Sequence, residues 1–166
     1  MRNMTRVRDF SMATAMLTLA FTLCCTEGKA ASYKEDKVGK AGPFTIIRIF
    51  DDGKFSRCAA TMGPNKSMLR IAWTKNHVYS ISVPGVKNVN PLIMSIEMPS
   101  GTLSFDAVTN GKRSWAPIDQ TSIESFMDIR GKVAISVGES NFTWKIGKIS
   151  MVDVLVAVEN CVHSAK

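Results

Sequence analysis

What most constrains this chain is a period of two in its apolar residues, recurring from Pro43 onward and interrupted by turn formers. Leu69, Ile71 and Trp73 alternate with Arg70, Ala72 and Thr74, and Tyr79, Ile81 and Val83 alternate with Ser80 and Ser82 until Pro84-Gly85. Successive side chains of a strand point to opposite faces, so this alternation predicts half-buried strands of an antiparallel sheet. FTIIRIF closes at Asp51-Asp52-Gly53 and FSRCAAT at Gly63-Pro64-Asn65, which adds two earlier strands. Leu92, Met94, Ile96 and Met98 share a face, and Leu103, Phe105 and Ala107 follow the turn at Pro99-Ser100-Gly101. Asn110-Gly111 is a hairpin signal, with Trp115 to Ile118 as a short return strand. Val133, Ile135 and Val137 are answered by Phe142, Trp144 and Ile146 across a turn at Gly138 to Asn141.

Two segments change to a helical period. Thr121-Ser122-Ile123-Glu124 reads as a capping box, with Ile123, Phe126 and Met127 on one side and Gly131 as the stop. Ser150 to Asp153 caps a second helix, on which Met151, Val154, Leu155, Val158, Cys161 and Val162 form one apolar stripe. The expected fold is therefore α+β and β-dominated: an antiparallel meander sheet or partly open barrel, with a short mid-chain helix and a C-terminal amphipathic helix. Residues 43–166 form its single β-rich domain, and the polar stretch ASYKEDKVGKAG over 31–42 reads as a flexible lead-in.

The first 30 residues have a different grammar. Arg2, Arg6 and Arg8 precede ATAMLTLAFTLCC, an uncharged apolar run, and Gly28-Lys29-Ala30 offers a small-x-small exit. These are the three parts of a secretory signal, with cleavage between Ala30 and Ala31 and a periplasmic or secreted product. The run is too short for the roughly 20 apolar residues of a membrane span. A lipid anchor through Cys24 or Cys25 is the minority alternative, opposed by bulky Leu23 where such signals prefer small residues.

Cleavage leaves Cys58 and Cys161 as the remaining cysteines. An even count in an oxidising compartment points to a structural disulfide. The alternative, two free thiols acting as a redox pair, favours a CxxC spacing that is absent. The formal charge falls from +7 to +5, because residues 1–30 hold four basic and two acidic residues. The remaining Lys and Arg residues, Arg57, Arg70 and Arg130 among them, are scattered, which reads as a solvated face and not as a nucleic-acid footprint.

No recognisable catalytic, metal or nucleotide motif stands out. His77 lies at a turn and His163 near the C-terminus, neither in a ligand-spaced cluster. Glu97 and Asp106 lie on neighbouring expected strands and could face each other, but they rank as surface acids. Asp51, Asp52, Glu124 and Asp128 belong to turn and helix chemistry. Six methionines of the mature chain read as core filler, and Trp73, Trp115 and Trp144 as core before stacking platform. Lys112, Arg113 and Trp115, just after the hairpin turn, are the one place that suggests a binding surface. No cofactor is expected.

Several features resemble a family of uncharacterised exported alphaproteobacterial proteins: Phe-x-x-Cys at Phe55–Cys58, the Tyr79 strand, Arg130-Gly131 before a Val/Ile strand, and the Phe142/Trp144 strand leading into the helix from Leu155 to Val162. The later half resembles, more distantly, the invasion-associated locus B family, which usually carries further cysteines. These resemblances imply a non-enzymatic periplasmic or surface protein and transfer no catalytic residue. The expectation is thus a non-catalytic, disulfide-stabilised binder of an unidentified protein or envelope component, at the envelope or the host interface. Its rivals are a small inhibitor or immunity-type protein using the loop Val83–Pro91, and, more remotely, an envelope hydrolase.

Overall fold

The computed structural model describes residues 32–76, 78–87 and 89–165. The expectations for the export segment, Cys24, Cys25, the Ala30/Ala31 junction and His77 lie outside the described residues. Within them the strands are β1 (Tyr33–Ala41), β2 (Phe44–Asp51), β3 (Lys54–Met62), β4 (Leu69–Thr74), β5 (Tyr79–Pro84), β6 (Ile93–Met98), β7 (Gly101–Asp106), β8 (Val108–Thr109), β9 (Arg113–Ile118), β10 (Arg130–Val137) and β11 (Ser140–Ser150). The helices are α1 (Gln120–Phe126) and α2 (Met151–His163).

Two antiparallel sheets result, one ordered β1-β2-β3-β4-β5-β9-β8 and one β11-β10-β6-β7. Neither closes into a barrel, so the fold is the β-dominated α+β arrangement with an open meander through β1–β5. After β5 the chain crosses to build β6 and β7, returns for β8 and β9, and crosses again through α1 to β10 and β11.

The core follows from the alternation. Ile71, Trp73, Ile81, Val83, Ala116 and Ile118 of the large sheet join Met94, Ile96, Val133, Ile135, Trp144 and Ile146 of the small one in a single apolar cluster. Trp144 also donates its Nε1–H to the Ser67 carbonyl at 2.7 Å, tying the small sheet to the β3–β4 connection. The α2 stripe is buried as its spacing requires, and Ser150 and Asp153 form the reciprocal capping box. Cys161 on that stripe is disulfide-bonded to Cys58 on β3, 103 residues earlier. In the chain-entropy description a loop of that length is worth about 4–5 kcal/mol.

Three local expectations are corrected. Most of the stretch expected over 31–42 to be a flexible lead-in is a strand, because β1 pairs with β2 from Tyr33↔Asp51 to Ala41↔Phe44. Its exposed charged side chains conceal a strand held by backbone hydrogen bonds, and Lys34, Lys37 and Lys40 suit an edge that must repel other edges. Helix α1 is capped by Asp119, not Thr121: the carboxylate accepts from the Ser122 amide at 2.8 Å and from its hydroxyl at 2.7 Å. Those same bonds lower the Asp119 pKa. Gly131 does not stop the helix, which ends at Phe126 with Met127 as its C-cap; with φ at 72° Gly131 occupies the irregularity in the β10–β11 ladder.

Candidate functional site

The ladder registers determine which side chains share the outer face of the large sheet. Arg57 is opposite Thr74, Ala72 opposite Ser80, Arg70 opposite Ser82, Ser82 opposite Trp115, and Pro84 opposite Arg113. The core-facing alternates are Trp73, Ile81 and Val83, so these residues all point away from the core. All of them but Pro84 line a groove of about 370 Å³. A second, small apolar cluster of Ile47, Ile49, Ala59 and Ala72 lies buried on the same face. Side chains of β1 reach toward this face: Tyr33 and Glu35 both meet Arg70.

Each arginine is held differently. Arg57 pairs with Asp51 at 3.1 Å, and Arg70 pairs with Glu35 at 2.6 Å while donating to the Tyr33 hydroxyl at 3.0 Å. Tyr33 also donates to Glu35, and burial with that neighbouring carboxylate raises its pKa. Arg113 has no carboxylate within 4.0 Å among the described residues. Its guanidinium donates instead to the Met68 carbonyl at 2.6 Å and to the Ser82 carbonyl and hydroxyl at 2.8 and 2.7 Å. Burial, then repulsion from Arg70, lowers its pKa to about 10, which leaves it cationic at neutral pH. The Nε of Arg70 is buried without a hydrogen-bond partner.

Beside these cations Trp115 is 38% exposed, and Val108, its partner on β8, is 53% exposed. Trp115 is therefore not a core residue, unlike Trp73 and Trp144. The hairpin that carries it is well determined. Asn110 Oδ1 accepts from the amides of Lys112 and Arg113, and Gly111 takes a positive φ of 78°. Gly85 approaches so closely that an added Cβ would meet Gly111 backbone atoms at 2.3 Å.

Of the three residues singled out in the sequence, Arg113 and Trp115 meet in the groove. Lys112 stands exposed at the hairpin tip and does not line it. Arg57, Arg70, Ser80 and Ser82 were the partners missed. Their signal was parity, since Arg70, Ala72 and Thr74 alternate against the apolar residues of β4, as Ser80 and Ser82 do on β5.

The other candidates separate. Glu97 is opposite Thr102 and Asp106 opposite Ile93, so the two acids do not face each other; Glu97 lies 3.6 Å from Lys132 instead. His163 lies 3.6 Å from Glu159 on α2. In the loop over 83–91, Gly85 and Val86 are bonded to Lys112 and Ser114 of the hairpin, while Lys87 and Val89 to Pro91 are exposed. Among the described residues no cluster of His, Cys, Asp and Glu is placed to hold a metal, and no helix is long and apolar enough to cross a membrane.

No family model, no curated protein and no solved structure matches this chain.

Proposed function

We propose that this is a non-catalytic binding protein of the bacterial envelope or its exterior, and that the groove on the outer face of the large sheet is its ligand seat. The observation that carries this reading is Arg113, a half-buried cation without a carboxylate partner, beside the exposed indole of Trp115. Holding a charge out of water costs free energy that neutral acceptors offset only in part, so a cation held by carbonyls and a hydroxyl alone, in a concavity, suits an external anion. Binding suits the groove better than catalysis does. Its described lining has hydroxyls and guanidiniums but no carboxylate or imidazole to take a proton. The disulfide and the signal-like N-terminus support an extracytoplasmic location.

Co-sedimentation with washed envelope material tests the seat. The wild-type protein is expected in the pellet, with at least tenfold less retained for Trp115→Ala; equal retention of the two would remove the groove from the account. N-terminal sequencing of protein recovered from the periplasm or medium tests the location. The expected first residue is Ala31, and an intact Met1 would overturn export.

A further inference from the structure

The groove carries enough chemistry to name its ligand class, an inference that rests on the groove being the ligand seat. Three guanidiniums, those of Arg57, Arg70 and Arg113, border it, and two carboxylates, Asp51 and Glu35, answer the first two. One positive charge is left over. A guanidinium has five N–H donors, and Arg113 directs three bonds to Met68 and Ser82, so two donors remain for a ligand. The Nε of Arg70 is buried without a hydrogen-bond partner, so Arg70 brings charge to the groove's border but not that N–H. Arg113 and Arg70 also converge on one residue, Met68, whose carbonyl accepts from Arg113 and whose sulfur lies 4.0 Å from Arg70.

The rest of the lining restricts what accompanies the anion. Ser80, Ser82 and Thr74 set hydroxyls along the floor, suited to a ligand that itself carries hydroxyls. Trp115 adds a flat, partly exposed apolar face at the edge, the surface on which the C–H face of a sugar ring lies well. A volume of about 370 Å³ is at the lower end of the roughly 300–1,000 Å³ of small-molecule sites. It holds one or two rings.

We infer that the groove binds a small sugar bearing a single oxyanion, a carboxylate or a phosphate, with Arg113 on the anion, the Arg70 charge beside it and Trp115 against the ring. The experiment titrates the full protein, by calorimetry, with glucuronate, glucose 6-phosphate, glucose and inorganic phosphate. One of the two sugar anions is expected to bind at least tenfold more tightly than glucose or inorganic phosphate, and which one does so identifies the oxyanion. Trp115→Ala is expected to weaken that sugar anion at least fivefold and leave inorganic phosphate unchanged. Arg113→Gln is expected to abolish the preference over glucose, with a thermal melt confirming that it folds. Glucose binding as tightly as its anions, or inorganic phosphate matching them, overturns the ligand class. If no probe binds while envelope retention still depends on Trp115, the ligand class fails and the groove stands; if retention is also indifferent to Trp115, both fail.

Discussion

The two sheets present outer faces built by the same alternation and used differently. On the small sheet that face carries Ser95, Ser104, Ser136, Asn141 and Thr143, brought together by the β6, β7, β10 and β11 registers. Its polar groups answer one another or water: the Ser95 and Ser104 hydroxyls lie 2.9 Å apart, and Glu97 stands near Lys132 with both side chains about two-thirds exposed. On the large sheet the pairs are drier, Arg70 and Glu35 being 22% and 33% exposed, and the charges do not cancel. Polar alternates alone make a solvated surface. A site arises where the chain withdraws charge from water and leaves part of it unanswered.

Replacing both cysteines, Cys58→Ala with Cys161→Ala, removes the staple behind the large sheet and is expected to lower unfolding free energy by about 4–5 kcal/mol in urea titrations. At temperatures where the double variant stays folded, groove binding should be unchanged, because the disulfide lies on the opposite face. Trp144→Ala strips the inner face of the small sheet and its bond to Ser67, at a cost of about 3–5 kcal/mol by the same measurement. Arg113→Ala is expected to cost about 1–3 kcal/mol, since the Met68 and Ser82 carbonyls lose a charged donor. A neutral result there would mean that water serves those carbonyls equally well and that the large sheet's outer face is as wet as the small one's.

Two smaller effects sharpen the contrast. Glu35→Gln removes the carboxylate that answers Arg70, raising the groove's surplus from one positive charge to two. Calorimetry should show tighter oxyanion binding despite a stability loss of at most about 1 kcal/mol. Ser95→Ala with Ser104→Ala should change stability by no more than about 0.5–1 kcal/mol, the ordinary response of an exposed face, in thermal melts. A large loss from the serine pair would put a specific interaction where we see a solvated one.

How much of this was legible depends on the range of the interaction responsible. Alternation over six residues suffices for β4 and β5, because burial of Tyr79, Ile81 and Val83 against one core leaves Ser80 and Ser82 no other side. The α2 stripe is equally local, and Cys161 on it needed only a partner in an oxidising compartment. Strand β1 escaped because it buries little; its stability comes from ladder bonds to β2, to which composition is blind. The start of α1 was misplaced because Asp119 competes for the same free amides as Thr121, two residues earlier. The groove was half visible. Arg113 and Trp115 are near neighbours in sequence, but Arg70 joins them only through a register that passes from β4 across β5 to β9.

That register has a kinetic meaning. Ser82 meets Trp115 only after the intervening chain, with the whole β6–β7 hairpin, has been looped out into the other sheet. Closing such a long loop is paid in chain entropy before any contact rewards it, so pairings of this kind form slowly. The β1–β5 meander needs only neighbouring hairpins, whereas the β5–β9 seam, like the β6–β10 pairing, waits on the closing of a long loop. A ligand that requires both sides of the seam recognises only chains in which it has closed, and by mass action it protects that long-range pairing.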